Sequence, residues 1–227
     1  MNKCPICKSN DTVKVRMHFY QYRKCNGCKH VYNCAEEKAI KKQYIRLQDR
    51  KRKINREIIQ DTLTYNHLER RKVENQERFF PLKNYAPDAQ SVLEIDCQDG
   101  TFQELLDKDV EYRGLTIDSF YRNKLSDNAM IGNLSNLDRD EEFDAIIICD
   151  HLEFAFDPFS DLMKCLSKIK KQGTIIAIIK NGINPSEDYR AMAHCFSYKS
   201  ACLLGQAVTK NIKIYKEFEK TILVMKN

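Results

Sequence analysis

Residues Ser91 to Leu106 read "SVLEIDCQDGTFQELL". The stretch has the outline of a strand, "SVLEI", a tight loop, and a helix over "TFQELLDK". In an open α/β sheet, ligands bind beyond the carboxyl ends of the strands, near the switch in strand order. The first loop of that kind carries glycines, so that the backbone turns tightly and approaches the ligand. Here Glu94 stands at the end of the strand, and the loop runs Asp96, Cys97, Gln98, Asp99, Gly100. Only Gly100 is a glycine where such loops carry three.

Outward from this stretch the pattern alternates. "YRGLTI" reads as a strand, "SFYRNKL" as a short helix, "AMIG" as a short strand and "FDAIIIC" as a buried strand. A helix is expected from Asp157 to about Lys170, with Asp157 as cap, Pro158 in the first turn and Gly173 as terminator. "TIIAIIK" is the next strand, "YKSACLLGQAVT" a helix, and "NIKIYKEF" and "TILVMKN" the last two strands. Glu219 and Lys220 are too short a joint for a crossover helix, so those two strands run antiparallel. The fold class is therefore α/β: an open, doubly wound, Rossmann-like sheet with an antiparallel finish.

The start of the chain is different. Cys4-Pro5-Ile6-Cys7 and Cys25-Asn26-Gly27-Cys28 are two CxxC pairs. Two residues between cysteines let one turn present both sulfurs to one ion, and zinc takes four such ligands in a tetrahedron. The run "TVKVRMHF" between them alternates as a strand does, which fits a zinc ribbon. A segment this short buries too little surface to fold alone, so the metal is expected to be structural. His30 and Cys34 are the substitute ligands. The expected division is a zinc ribbon over 1–36, a basic helical linker over 37–84 and the sheet domain over 85–227. Ile40, Tyr44, Leu47, Ile54 and Ile58 recur at helical spacing in the linker, which Pro81 and Pro87 close.

The net charge is +6, with nine basic residues and one acid, Asp49, between Lys38 and Arg56. That run is either a solvated helix face or a surface for an acidic partner such as nucleic acid. No apolar run is long enough to span a bilayer, and "MNKCPICKSN" has no signal-peptide apolar region. A reducing, cytoplasmic setting follows as the default, in which the ten cysteines are thiols or metal ligands.

The loop resembles the first motif of class I S-adenosylmethionine (SAM)-dependent methyltransferases, E/D-x-G-x-G-x-G, in Glu94 to Gly100. Further segments are similar to that family in order: "YRGLTID", "MIGNLSNL", "FDAIIICDHLEFAFDP", "KKQGTIIAIIKN" and "HCFSYKSACLLGQA". A subset of these enzymes carries an N-terminal cysteine ribbon and a helical segment, and many of that subset look like methyltransferases of sugars or other small metabolites. The resemblance implies SAM as cofactor and cofactor contacts from Glu94, Asp96, Gly100, Asp118, Asn133, Leu134 and Cys149. Asp118 falls where the family places an acid on the ribose hydroxyls. Asp96 and Gln98 depart from the motif, because they put side chains where glycines stand.

Methyl transfer is an in-line displacement in which positioning supplies much of the rate and a base helps if the acceptor loses a proton. Asp150 and His151 follow the fourth strand of the expected sheet, and Asn181, Tyr189 and His194 come after the fifth; Asp150, His151 and His194 are the catalytic candidates. Three functions remain open on sequence: a methyltransferase of a small molecule, such as a sugar or nucleotide-sugar; an RNA methyltransferase gripping phosphates with the 38–56 segment; and a methyltransferase-like scaffold that binds without turnover.

Overall fold

A computed structural model describes residues 3–17, 20–35, 38–39, 63–118, 121–181, 192–217 and 219–227. The basic run expected over 38–56, apart from Lys38 and Ala39, lies outside the described residues, as does Tyr189.

Seven strands form the main sheet: β4 (Ser91–Ile95), β5 (Glu111–Thr116), β6 (Ala129–Ile131), β7 (Phe143–Cys149), β8 (Ile169–Lys180), β10 (Ile212–Lys216) and β11 (Lys220–Lys226). Their order is β10-β11-β8-β7-β4-β5-β6. All pairs from β6 to β8 are parallel, and β11 alone runs against its neighbours β8 and β10. The expected α/β sheet with an antiparallel finish is what forms. The chain winds outward from β4 to β6 and then crosses to β7, so the switch in strand order lies between β4 and β7. The loops leaving those two strands therefore flank one crevice.

The sheet is buried on both faces, which the apolar runs of β7 and β8 anticipate. On one face Leu93, Ile146, Ile148 and Ala177 pack with helices α2 (Pro158–Leu166) and α3 (Tyr198–Val208) through Leu162, Cys165, Ala201 and Leu204. On the other face Val92, Ile147 and Ile176 pack with Leu82 of α1 (Leu63–Tyr85) and with Phe102. Asp157 caps α2 by accepting the backbone N–H of Ser160, with Pro158 in the first turn, as expected.

Four local expectations are corrected. "TFQELLDK" forms only a 3-10 turn, Thr101–Leu105. Leu106 is already extended and a turn at Asp107–Val110 leads straight into β5, while α1 covers the face that a longer helix would occupy. The described part of "SFYRNKL" is a 3-10 residue at Tyr121 followed by a turn, in which the Lys124 N–H donates to the Tyr121 carbonyl. Gly173 does not end α2, which stops at Leu166. It lies inside β8, at a bulge where the register with β7 shifts between Phe143 and Ala145, and Gln172, not Gly173, takes the left-handed conformation (φ 69°). A side chain at 173 would stand 2.9 Å from the Lys170 carbonyl and 3.0 Å from that of Asp144, so the bulge needs glycine for space. Finally, α1 continues through Pro81 to Tyr85, leaving the Glu77 carbonyl without its helical partner.

The cysteine-bearing segment forms a second sheet, β1 (Thr12–Met17), β2 (Tyr20–Cys25) and β3 (Val31–Asn33), antiparallel throughout. Its fourth strand comes from far along the chain: β9 (His194–Cys195) pairs with β3.

Candidate functional site

The loop leaving β4 keeps the backbone of a glycine-rich turn with a single glycine. Asp96, Gln98 and Gly100 all have left-handed backbones, with φ 62°, 59° and 80°. These are the three alternate positions at which the resembling motif carries glycine. The loop shape is kept although two of the residues carry side chains, each at a cost of about 1–2 kcal/mol. The displaced groups have found partners. Asp96 Oδ1 accepts from the Thr116 hydroxyl (3.3 Å), and Gln98 Oε1 accepts from the Tyr121 hydroxyl (3.2 Å). Burial pushes the Asp96 carboxyl above its usual range, against the pull of His151 and Arg78.

Helix α1 rivets this loop. Arg71 reaches Asp99 Oδ1 at 2.6 Å and donates to the Cys97 carbonyl at 3.5 Å. Asn75 donates to the Thr101 hydroxyl (3.2 Å), and the Arg78 guanidinium lies 3.3 Å from Glu94. Glu94 also accepts the Tyr112 hydroxyl at 2.6 Å. Arg71, Asn75 and Arg78 form a polar stripe at i, i+4 and i+7, which one helix face presents together. That spacing was visible in the sequence; what hid its meaning is that solvated helix faces show the same pattern. Glu94, expected as a cofactor contact, is fully buried beneath the loop and engaged by Arg78 and Tyr112.

Asp118, just past β5, is buried, with its N–H donating to the Thr116 hydroxyl at 3.3 Å. Asp96 and Asp118 thus share the Thr116 hydroxyl, which brings the ends of β4 and β5 together. Asn133 caps a short turn, Leu134–Asn136, by accepting the N–H of Ser135 at 2.8 Å. Its side chain is exposed and Leu134 half-buried. Cys149 ends β7 as a buried thiol, pushed up to about 12 by burial and by Asp150.

Across the crevice, Asp150 is also left-handed (φ 54°), and its carboxylate meets Lys180 at 2.9 Å. His151 Nε2 lies 3.4 Å from Asp161 Oδ2 in the first turn of α2. Burial lowers the affinity of His151 for a proton, but Asp161, Asp96 and Glu153 outweigh it, and the ring titrates above its ordinary 6.5. Asp161 is held below its usual 3.8, its burial outweighed by His151 and Lys164. The stability from the charged histidine is complete below pH 6.5 and is lost as the pH rises through the folded value. The stability from Asp161 is present above its ordinary 3.8 and is lost as the pH falls through its folded value. Asp161→Asn is expected to bring the His151 titration down, read from the imidazole resonances across pH 5–9; an unmoved titration would show that the pair is not coupled.

Glu153 is buried, accepts the Lys180 N–H at 2.7 Å, and is pushed up to about 7 by burial and Asp150. His194 is not brought to this crevice. It is buried in the seam between the two sheets, with Nδ1 2.9 Å from His30 Nε2 and Nε2 donating toward the Phe156 carbonyl at 3.3 Å. Burial pushes it down to about 4. Both ring nitrogens are engaged, so it lacks the free nitrogen that a base needs. The sequence offered no sign of His30 as its partner, because 164 residues separate them.

Cys4, Cys7, Cys25 and Cys28 converge with their sulfurs within 4.8 Å of one another. The Cys4–Cys28 and Cys7–Cys25 sulfurs are 3.6 and 3.4 Å apart, close to the about 3.8 Å edge of a tetrahedron of thiolates at zinc distance. After each CxxC pair a left-handed lysine, Lys8 (φ 60°) or Lys29 (φ 63°), closes the turn, with its N–H on the carbonyl of Cys4 or Cys25. The donor set and geometry fit zinc. His30 and Cys34 stand outside the cluster, and none of the ten cysteines is in a disulfide.

Solved structures share this arrangement of strands. A SAM-dependent methyltransferase from Archaeoglobus fulgidus superposes with a TM-score of 0.56 at 16% identity, over 72% of this chain and 100% of the other. The plantazolicin methyltransferase BpumL in complex with SAH gives 0.54 at 13% identity, over 76% and 93%. The N-terminal domain of EvdMO1 with SAH bound gives 0.50 at 14% identity, over 67% and 80%. This chain has the class I methyltransferase fold. No family model and no curated protein sequence matches the chain. Within that fold, Asp96–Gly100 and Asp118 border one side of the crevice and Asp150–His151 the other. Among the described residues, no helix is long and apolar enough to cross a membrane.

Proposed function

We propose that this protein is a SAM-dependent methyltransferase acting on a small molecule, with zinc as a structural metal. The observation that carries the reading is the left-handed triplet at 96, 98 and 100: a loop that had lost its role would have no reason to hold two non-glycine residues in a costly conformation. When bound, SAM supplies an electrophilic methyl group. The chain's part is to bind and orient. Asp118 would accept from the ribose hydroxyls, the loop N–H groups would meet the amino acid end, and Leu134 and Cys149 would border the base. Cys4, Cys7, Cys25 and Cys28 hold the metal.

On the acceptor side, His151 takes the proton that a hydroxyl acceptor must lose, and Asp161 orients its ring. Asp150, paired with Lys180, shapes that side. A hydroxyl-bearing acceptor such as a sugar or nucleotide-sugar suits an oriented imidazole base. A second reading, a scaffold that binds without turnover, is favoured by one observation, the bond between Gln98 and Tyr121 within the cofactor cleft.

Calorimetric titration with SAM tests the proposal. Binding is expected, and Asp118→Ala is expected to weaken it about 10-fold or more, as the loss of a charge-assisted hydrogen bond does. A folded, zinc-loaded protein that gives no heat at millimolar SAM would refute the reading; an unaltered affinity in Asp118→Ala would refute the ribose contact.

A further inference from the structure

Tyr121 reaches from beyond the end of β5 to the loop leaving β4. It comes three residues after Asp118, on the far side of the cleft from Gln98, and its hydroxyl donates to Gln98 Oε1 at 3.2 Å. The turn that carries it is clasped to the cofactor loop further along. Ser126 N–H donates to the Asp99 carbonyl at 2.9 Å, and the Ser126 hydroxyl to that of Gly100 at 3.4 Å. Tyr121 N–H bonds the Asp118 carbonyl at 3.2 Å. The phenol feels Arg71, Asp118, Asp99 and Asp96, and burial foremost, then Asp118, Asp99 and Asp96, pushes it up to about 12. The bonds of Tyr121 to Gln98 and to the Asp118 backbone span from the β4 loop to the acid beyond β5, the interval that a ribose would enter to reach Asp118.

We infer that Tyr121 and Gln98 form a strap across the cofactor cleft, closed in this structure, which opens to admit the nucleoside. The inference rests on the proposed function for what enters the cleft, but the strap itself is a feature of the free protein. It gives the side chain at position 98 a purpose. A glycine there leaves the cleft open, whereas Gln98 bridges it with one neutral hydrogen bond. A bond of that kind is weak enough for a ligand to displace and strong enough to set a closed resting state. Binding then costs the opening of the strap, which lowers the apparent affinity by the fraction of molecules that are open.

The test uses the full zinc-loaded chain, with SAM and SAH as probes. Tyr121→Phe keeps the ring and removes the bond, and Gln98→Gly removes the bond and restores the family glycine. Both are expected to bind SAH about 2- to 10-fold more tightly than the wild type, the range set by the net worth of one hydrogen bond. Unchanged or weaker binding in both variants would overturn the strap while leaving the methyltransferase reading intact. Without any ligand, amide exchange over Tyr121–Ser126 is expected to speed up in Gln98→Gly while β4 and β7 stay protected. Unaltered exchange there would overturn the strap independently of the cofactor. If the wild type and both variants bind neither probe while exchange changes as expected, the strap stands as a contact and the proposed cofactor fails.

Discussion

Replacing Arg78 with alanine is expected to destabilise the fold by about 3–5 kcal/mol, the loss seen when one partner of a buried ion pair is removed. Arg78 is 1% and Glu94 0% exposed, so neither reaches water. The pair joins α1 to β4, an interior strand of the sheet, and Arg78 also donates to Asn75 Oδ1 at 3.2 Å. Alanine would leave Glu94 with the Tyr112 hydroxyl alone. Burial already raises the Glu94 carboxyl above its ordinary 4.5, against the pull of Arg78, and losing the guanidinium raises it further. The variant's native state then binds a proton that its unfolded state releases. Both native states lose stability alike as the pH climbs from 4.5, so the deficit grows once the pH passes the wild-type folded value and levels off above the variant's higher one. Urea unfolding at pH 5 and pH 8 checks this, with the larger loss expected at pH 8. Glu94→Gln in the same background should recover part of the loss, since an amide needs no counter-charge. A deficit under about 1 kcal/mol at pH 8, within the range of exposed pairs, would show that the pair contributes no more than a surface one.

Metal removal is expected to act far from the cysteines. Structural zinc contributes about 10–16 kcal/mol of apparent binding energy in small domains, and the ribbon here holds more than itself. Beyond the β3–β9 pairing, the Ser197 hydroxyl that caps α3 donates to the Cys28 carbonyl at 2.6 Å, and Lys199 donates to that of Gly27 at 2.9 Å. The Tyr22 hydroxyl reaches the Met192 carbonyl at 2.9 Å. Chelation, or Cys25→Ser, should thus abolish amide protection in β1–β3 and weaken it over Met192–Leu204, while β4, β5 and β7 stay protected. SAM binding should survive, because the loop and Asp118 are fastened by α1 and β5. Metal analysis should find one zinc per chain in the wild type. Protection unchanged on chelation would show that the ribbon stands without metal, and global unfolding would show that the two sheets form one cooperative unit.

Much of this architecture was legible because its causes are local. Two residues between cysteines define a chelating turn wherever they occur. Apolar runs such as "FDAIIIC" define strands buried on both faces, and the short joint between Lys216 and Lys220 leaves no choice but an antiparallel return. The loop was harder to read. Glycine is the usual sign of left-handed backbone, and at 96 and 98 that sign is missing although the conformation persists. The helix expected over "TFQELLDK" failed for another reason: propensity is a weak prior, and α1 and the short return to β5 override it.

The sequence by itself determined the succession of strands, the four-cysteine cluster and the place of the loop leaving β4, since each rests on a short local pattern: an apolar run, a CxxC turn, a strand followed by a tight turn. Tertiary structure alone decided that Arg78 neutralises Glu94, that His194 joins His30 in a seam while His151 faces the crevice beside Asp161, and that the ribbon sheet takes its last strand from beyond β8. Those outcomes are contacts between segments far apart in the chain, and pairwise burial, unlike a turn or a strand, leaves no periodicity for a sequence to display.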